Sequence, residues 1–207
     1  MYVPAHKTKI MIHCLATPPS WGRNKTAEQM VAEVRLWHTR DRGWSDIAYA
    51  EVGDYDGHGA PGRDLNNDGN TFDDTGAGAR GHNSDTIHLA LAGGRWPDGR
   101  WGVRTDKFSD HFTPEQNRWL RETIAKINRA AGRELQVLGH NEVDPGKGCP
   151  SFDVPTWLRT PPNTAARAPM TQLKKAAEPK PEPKPSPLVA LLNAIFKALG
   201  LGKGGPA

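Results

Sequence analysis

Between Gly139 and Asp153 the chain reads GHNEVDPGKGCPSFD, which sets His140, Lys147 and Cys149 in a loop rich in Gly and Pro. Such a loop does not fill a core; its glycines and Pro150 set backbone angles that aim side chains at a point. An imidazole and a thiolate are both good zinc ligands. A third candidate, His13, stands far away in the apolar run KIMIHCLA (9–16). A catalytic zinc takes three protein ligands and keeps one position open for water. His13, His140 and Cys149 would supply that set, and zinc would lower the pKa of its water to roughly 7 and polarise a carbonyl. Amide or ester hydrolysis passes through an oxyanion that needs nearby donors. Lys147 offers a charge for this, and Tyr49, in a strand-like run, offers a hydroxyl. The bland readings stand beside these: a histidine is more often structural or exposed, a lone cysteine is often a small buried hydrophobe, and a strand tyrosine is usually core.

The elements that must position these residues follow from local patterning. Lys9 to Ala16 reads as a buried central strand, and because neighbours in a strand face opposite ways, His13 is assigned to the cleft and Cys14 to packing. Thr26 with Gln29 forms a capping box that opens a helix to about Thr39, with Met30, Val34 and Trp37 on its apolar face. SDIAYAEVG (45–53) reads as a second strand, and DTIHLALAGG (85–94) as a third, with Ile87, Leu89 and Leu91 on one face. Thr113-Pro114-Glu115-Gln116 combines an N-cap, Pro at the first helical position and a capping box. That helix carries Leu120, Ile124 and Ile127 inward and stops at Gly132. Leu135 to Leu138 returns as a strand into the organising loop, and Ser151 or Asp153 caps a short closing helix with Trp157. The fold class expected is α/β, a mixed central β-sheet flanked by helices.

DLNNDGNTFDD (64–74) places Asp64, Asn66 and Asp68 before Gly69, the first half of a calcium-loop pattern. Its twelfth position is Thr75 rather than a bidentate glutamate, so a solvated series of Asx turns is the competing reading. From Pro161 the composition shifts. Residues 1–160 form the expected catalytic domain, 161–187 a Pro/Lys-rich linker, and 188–207 a short apolar C-terminal helix, of which 188–201 is a candidate membrane-surface segment. The formal charge of +4 is concentrated there: residues 160–207 hold seven Lys/Arg against two Glu. The folded part is close to neutral, which argues against nucleic acid as a partner.

Four stretches, MIHCLAT (11–17), RLWHTRDRGWSDIAY (35–49), IHLALAGG (87–94) and FTPEQ through GHNEVDPGKGCPSFD (112–153), resemble the zinc-dependent N-acetylmuramoyl-L-alanine amidases of the phage-lysozyme and peptidoglycan-recognition type. The resemblance implies cleavage of the amide between the lactyl group of N-acetylmuramic acid and L-alanine of bacterial peptidoglycan. It also implies zinc on His13, His140 and Cys149, with Tyr49 and Lys147 as catalytic residues. GAGARGHN (76–83) resembles a family GxHAxGxN segment in the substrate groove, with Gly78 where the histidine would stand, so His82 and Asn83 are the expected substrate contacts. One extra residue, at Gly146, separates His140 from Cys149. The expected protein is a monomeric endolysin. MYVPAHKTK lacks the apolar core of a signal peptide, so it would be made in the host cytoplasm and reach the periplasmic wall after a membrane lesion. The alternative is a non-catalytic peptidoglycan-binding module.

Overall fold

The structure, a computed structural model, describes residues 1–161. The linker expected over 161–187 and the apolar segment over 188–207 lie outside the described residues, apart from Pro161. Five strands form one sheet: β1 (Lys9–Cys14), β2 (Glu51–Gly53), β3 (Gly59–Pro61), β4 (Thr86–Leu91) and β5 (Gln136–Gly139). They are ordered β3-β2-β4-β1-β5. β4 and β5 both run parallel to β1 on its two sides, β2 runs parallel to β4, and β3 is antiparallel at the edge. Helices α1 (Ala27–Thr39), α2 (Phe108–His111), α3 (Pro114–Ala131), α4 (His140–Val143) and α5 (Val154–Arg159) complete the expected mixed α/β architecture. None of the described helices is long and apolar enough to cross a membrane.

The alternation of β1 and β4 divides the core. Ile10, Ile12, Cys14, Ile87, Leu89 and Leu91 point to one side, where Leu120, Ile124 and Ile127 of α3 and Trp157 of α5 cover them. On the other side Ala27, Val31 and Val34 of α1 pack with Val52, Ala60 and Ala90. His13 shares that second side, so Cys14 goes into packing, as the strand period requires.

Both main helices begin where the chain signals them. The Thr26 hydroxyl accepts from Gln29 N–H while Gln29 Oε1 accepts from Thr26 N–H. Thr113 and Gln116 repeat this exchange, Thr113 also donates to Tyr55 O at 2.7 Å, and Gly132 closes α3 at φ 66°. Thr113→Ala deletes the cap and that tether together, and is expected to lower stability by about 1–2 kcal/mol, measured as a lower urea midpoint at unchanged slope. Asp153, rather than Ser151, caps α5 by accepting from Thr156 N–H at 2.9 Å.

One expectation is corrected. Only Glu51–Gly53 of the run SDIAYAEVG is strand. The Asp46 and Ile47 carbonyls accept from the Arg63 guanidinium at 3.2 and 3.1 Å instead of from a neighbouring strand. Ile47 and Val52 consequently share one cluster, which the alternation of a single strand would forbid. In the loop from Asp64 the side chains make the Asx turns of the competing reading. Asp64 accepts from Asp68 and Gly69 N–H, Asn66 from Asp68 N–H, and Asp68 from Asn70 N–H. Among the described residues these carboxylates are not part of a metal-holding group of His, Cys, Asp or Glu side chains.

Candidate metal centre

The register of β1 against β5 brings two of the candidate ligands together. Ile12 pairs with Gly139, so the next residues, His13 and His140, emerge side by side at the carboxyl ends of adjacent parallel strands. Their rings meet edge to face with centroids 4.8 Å apart. At this point β5 turns into α4, with Gly139 N–H capped by Glu142 Oε1 at 2.7 Å. The Cys14 N–H, which loses its neighbouring strand there, points instead to Cys149 Sγ at 3.3 Å.

Asn141 holds the loop that delivers this thiol. Its N–H donates to Cys149 O at 2.8 Å, and its buried side-chain amide donates to the Gly148 and Phe152 carbonyls. Gly148 passes so close to Gly102 O that no Cβ fits there. The loop is thus clamped from both sides, with the Cys149–Pro150 peptide bond cis.

The ligand atoms of His13, His140 and Cys149 lie within 4.8 Å of one another. Cys149 Sγ is 3.7 Å from His13 Nδ1. Ligand bonds of about 2.0 Å to nitrogen and 2.3 Å to sulfur, at a tetrahedral angle, put N and S about 3.5 Å apart. The donor set, and the distance between Cys149 and His13, fit a zinc ion. Burial, then repulsion from His88 and His140, holds His13 well below its ordinary pKa, so it is a neutral ligand. Burial also lowers His140, opposed by Asp144 and assisted by Lys147 and His82. The contact with the Cys14 thiol, then burial, pushes the Cys149 thiol up, against the Cys14 N–H and the Lys147 charge.

Tyr49 stands beside this cluster, its ring 5.3 Å from His13 and 5.6 Å from His38. Burial, then the neighbouring cysteines, pushes its phenol far up, so it keeps its proton and can donate. Lys147 is exposed on the loop, close enough for its charge to act on His140 and Cys149. Of the expected substrate contacts, His82 comes near enough to His140 to depress its pKa. Asn83 Oδ1 accepts from Ala79 N–H at 2.9 Å.

Two further histidines meet the site. His38 Nδ1 accepts from Ala48 N–H at 3.2 Å, consistent with a neutral ring whose pKa burial lowers to about 4. His88 Nδ1 lies 2.9 Å from His13 Nε2. Its ring also accounts for Gly78: a Cβ there would sit 2.5 Å from His88 Nδ1 and 3.0 Å from His13 Nε2. The only sequence signal for His88 was a polar residue within an otherwise apolar, fully buried strand.

No family model matches the chain. It is 36% identical over 149 residues to the endolysin of Escherichia phage T7, an alignment covering 72% of this chain and 83% of that protein. The endolysin of Enterobacteria phage T3 is 35% identical with the same coverage. Among solved structures, wild-type Drosophila PGRP-LB superposes with a TM-score of 0.55 at 20% identity, covering 73% of this chain and 78% of that one. The N-acetylmuramoyl-L-alanine amidase LysC from Clostridium intestinale superposes with a TM-score of 0.52 at 20% identity, covering 73% and 80%.

Proposed function

Since this chain belongs to the phage endolysins of the amidase type 2 family, enzymes that hydrolyse peptidoglycan during phage lysis, we propose that it cleaves the amide between the lactyl group of N-acetylmuramic acid and L-alanine, with zinc held by His13, His140 and Cys149. The observation that carries this reading is the convergence of two neutral imidazoles and one thiol, from distant parts of the chain, at a tetrahedral N–S spacing. When bound, zinc supplies a Lewis acid that polarises a carbonyl and acidifies water.

The rest of the chemistry falls to side chains. The Tyr49 hydroxyl, protonated at every working pH, donates to the negative charge that develops on the scissile carbonyl oxygen. The Lys147 ammonium, on the loop that carries Cys149, adds a positive field over the same place. His82, near His140, contacts the stem peptide at the mouth of the site. A module that only binds peptidoglycan would need neither the thiol nor a proton donor beside it, and the joint presence of Cys149 and Tyr49 favours the enzyme.

The thiol gives the metal affinity a sign with pH. Because the Cys149 pKa is raised, the metal-free group is protonated, and zinc must displace that proton. Affinity is therefore expected to fall by about tenfold per pH unit on acidification below neutrality, provided the histidines stay neutral. Calorimetric titrations in buffers of different ionisation enthalpy would count the released proton.

The reaction itself is tested on purified peptidoglycan. New alanine amino termini are expected without new reducing sugar ends. Reducing ends alone would mark a glycosidase, and neither product would leave a binding module.

A further inference from the structure

We propose that His88 is the positioning residue for the metal centre: its Nδ1 accepts a hydrogen bond from His13 Nε2–H, turning the His13 ring and fixing the tautomer that leaves Nδ1 free for the ion. This rests on the zinc reading above, but on different atoms. His13 and His88 are each 1% exposed, and their facing nitrogens are 2.9 Å apart. The other ring nitrogen of His13, Nδ1, is the one 3.7 Å from Cys149 Sγ. A neutral imidazole that coordinates through Nδ1 carries its proton on Nε2. That proton points at His88, so His88 Nδ1 must be the acceptor and the proton of His88 must reside on its own Nε2. The tautomers of both rings follow from one distance and one ligand atom.

The surroundings are shaped for this ring. A Cβ at Gly76 would run into His88 Cδ2, and one at Gly78 would meet Nδ1, so both glycines make room for it. β4 fixes its place: Met11 pairs with His88 and His13 with Ala90, which puts both histidines on the same sheet face, diagonally adjacent. His88 Nε2 has no protein partner among the described residues. Beside His88 lies a cavity of about 10 Å³ whose polar lining is Arg63, Thr71, Asp74 and Thr86, closed by Ala50, Gly76 and Ile87. That is about the space of one water, among polar groups that could share it. A single water there would accept the His88 Nε2–H, completing a chain from the metal ligand into the polar side of the fold. A partner that fixes the ring of a metal-bound histidine is worth about 10–100-fold in metal affinity.

The test compares zinc dissociation constants, by chelator competition, for the unmodified chain, His88→Asn and His88→Leu. Asn places an acceptor oxygen close to the position of Nδ1; Leu fills the space without one. His88→Leu is expected to weaken zinc binding by about 10–100-fold, and His88→Asn to recover most of that loss. Thermal unfolding of the metal-free variants separates this from a packing effect, because loss of packing would lower stability without the Asn rescue of affinity. Nitrogen-15 NMR of the zinc-loaded unmodified chain gives a second readout that needs no variant: protons are expected on Nε2 of both His13 and His88. Equal zinc affinity in His88→Leu, or a proton on His88 Nδ1, would overturn the positioning role while leaving the zinc site standing. An unmodified chain that binds no zinc would overturn both.

Discussion

Cys149→Ser is expected to lower amide cleavage by at least about two orders of magnitude and to strip the protein of stoichiometric zinc, while Cys14→Ala keeps both within about threefold. The two cysteines are neighbours, Cys149 Sγ lying against the Cys14 backbone, and composition alone does not say which is the ligand. The difference lies in the strand period and in where the backbone runs out of partners. Cys14 points to the α3 side of the sheet, buried against Ser151 Oγ at 3.6 Å and under Gly94. Its contribution to the site is its N–H, donated to Cys149 Sγ, and alanine keeps that group. Loss of its buried sulfur is expected to cost about 1 kcal/mol of stability. Serine at 149 has nearly the shape of cysteine, but its hydroxyl does not ionise near neutral pH and is a poor zinc ligand. Zinc content by elemental analysis and product release from purified peptidoglycan check both variants. Equal loss in both would mean that the two sulfurs hold the ion together.

Tyr49→Phe is expected to reduce kcat by about 10²–10³-fold with zinc content unchanged. The ring packs between His13 and His38, and phenylalanine keeps that packing. Only the hydroxyl is lost. Because burial holds the phenol protonated, its part is that of a donor to developing charge, so the loss should fall on kcat far more than on KM. Retained kcat in this variant would remove Tyr49 from the chemistry and leave it as a wall of the pocket.

The features legible in the sequence were those written in short-range chemistry. The capping boxes at Thr26 and Thr113 and the helix stop at Gly132 depend on residues a few positions apart, and each is found where the pattern puts it. The ligand candidates were visible as residue types in unusual loops and in the stretches resembling known amidases. The resemblance implied that they meet, but the register that brings them together, Ile12 against Gly139 between strands far apart in the chain, was not legible. The same holds for His88, which reads as one polar residue in a core strand until β4 is laid beside β1. The run from Ser45 to Ala50 misled for a related reason: Arg63, more than ten positions away, takes carbonyls that a strand would have used. The carboxylates from Asp64 to Asp68 accept from local backbone amides, as the Asx-turn reading of that stretch expects.

X-ray absorption at the zinc edge, on protein loaded with one equivalent of zinc, tests the central claim most directly. One sulfur at about 2.3 Å and two imidazole nitrogens at about 2.0 Å are expected, with a light atom completing the shell. A shell without sulfur, or amide cleavage that continues at full rate in protein freed of zinc, would contradict it.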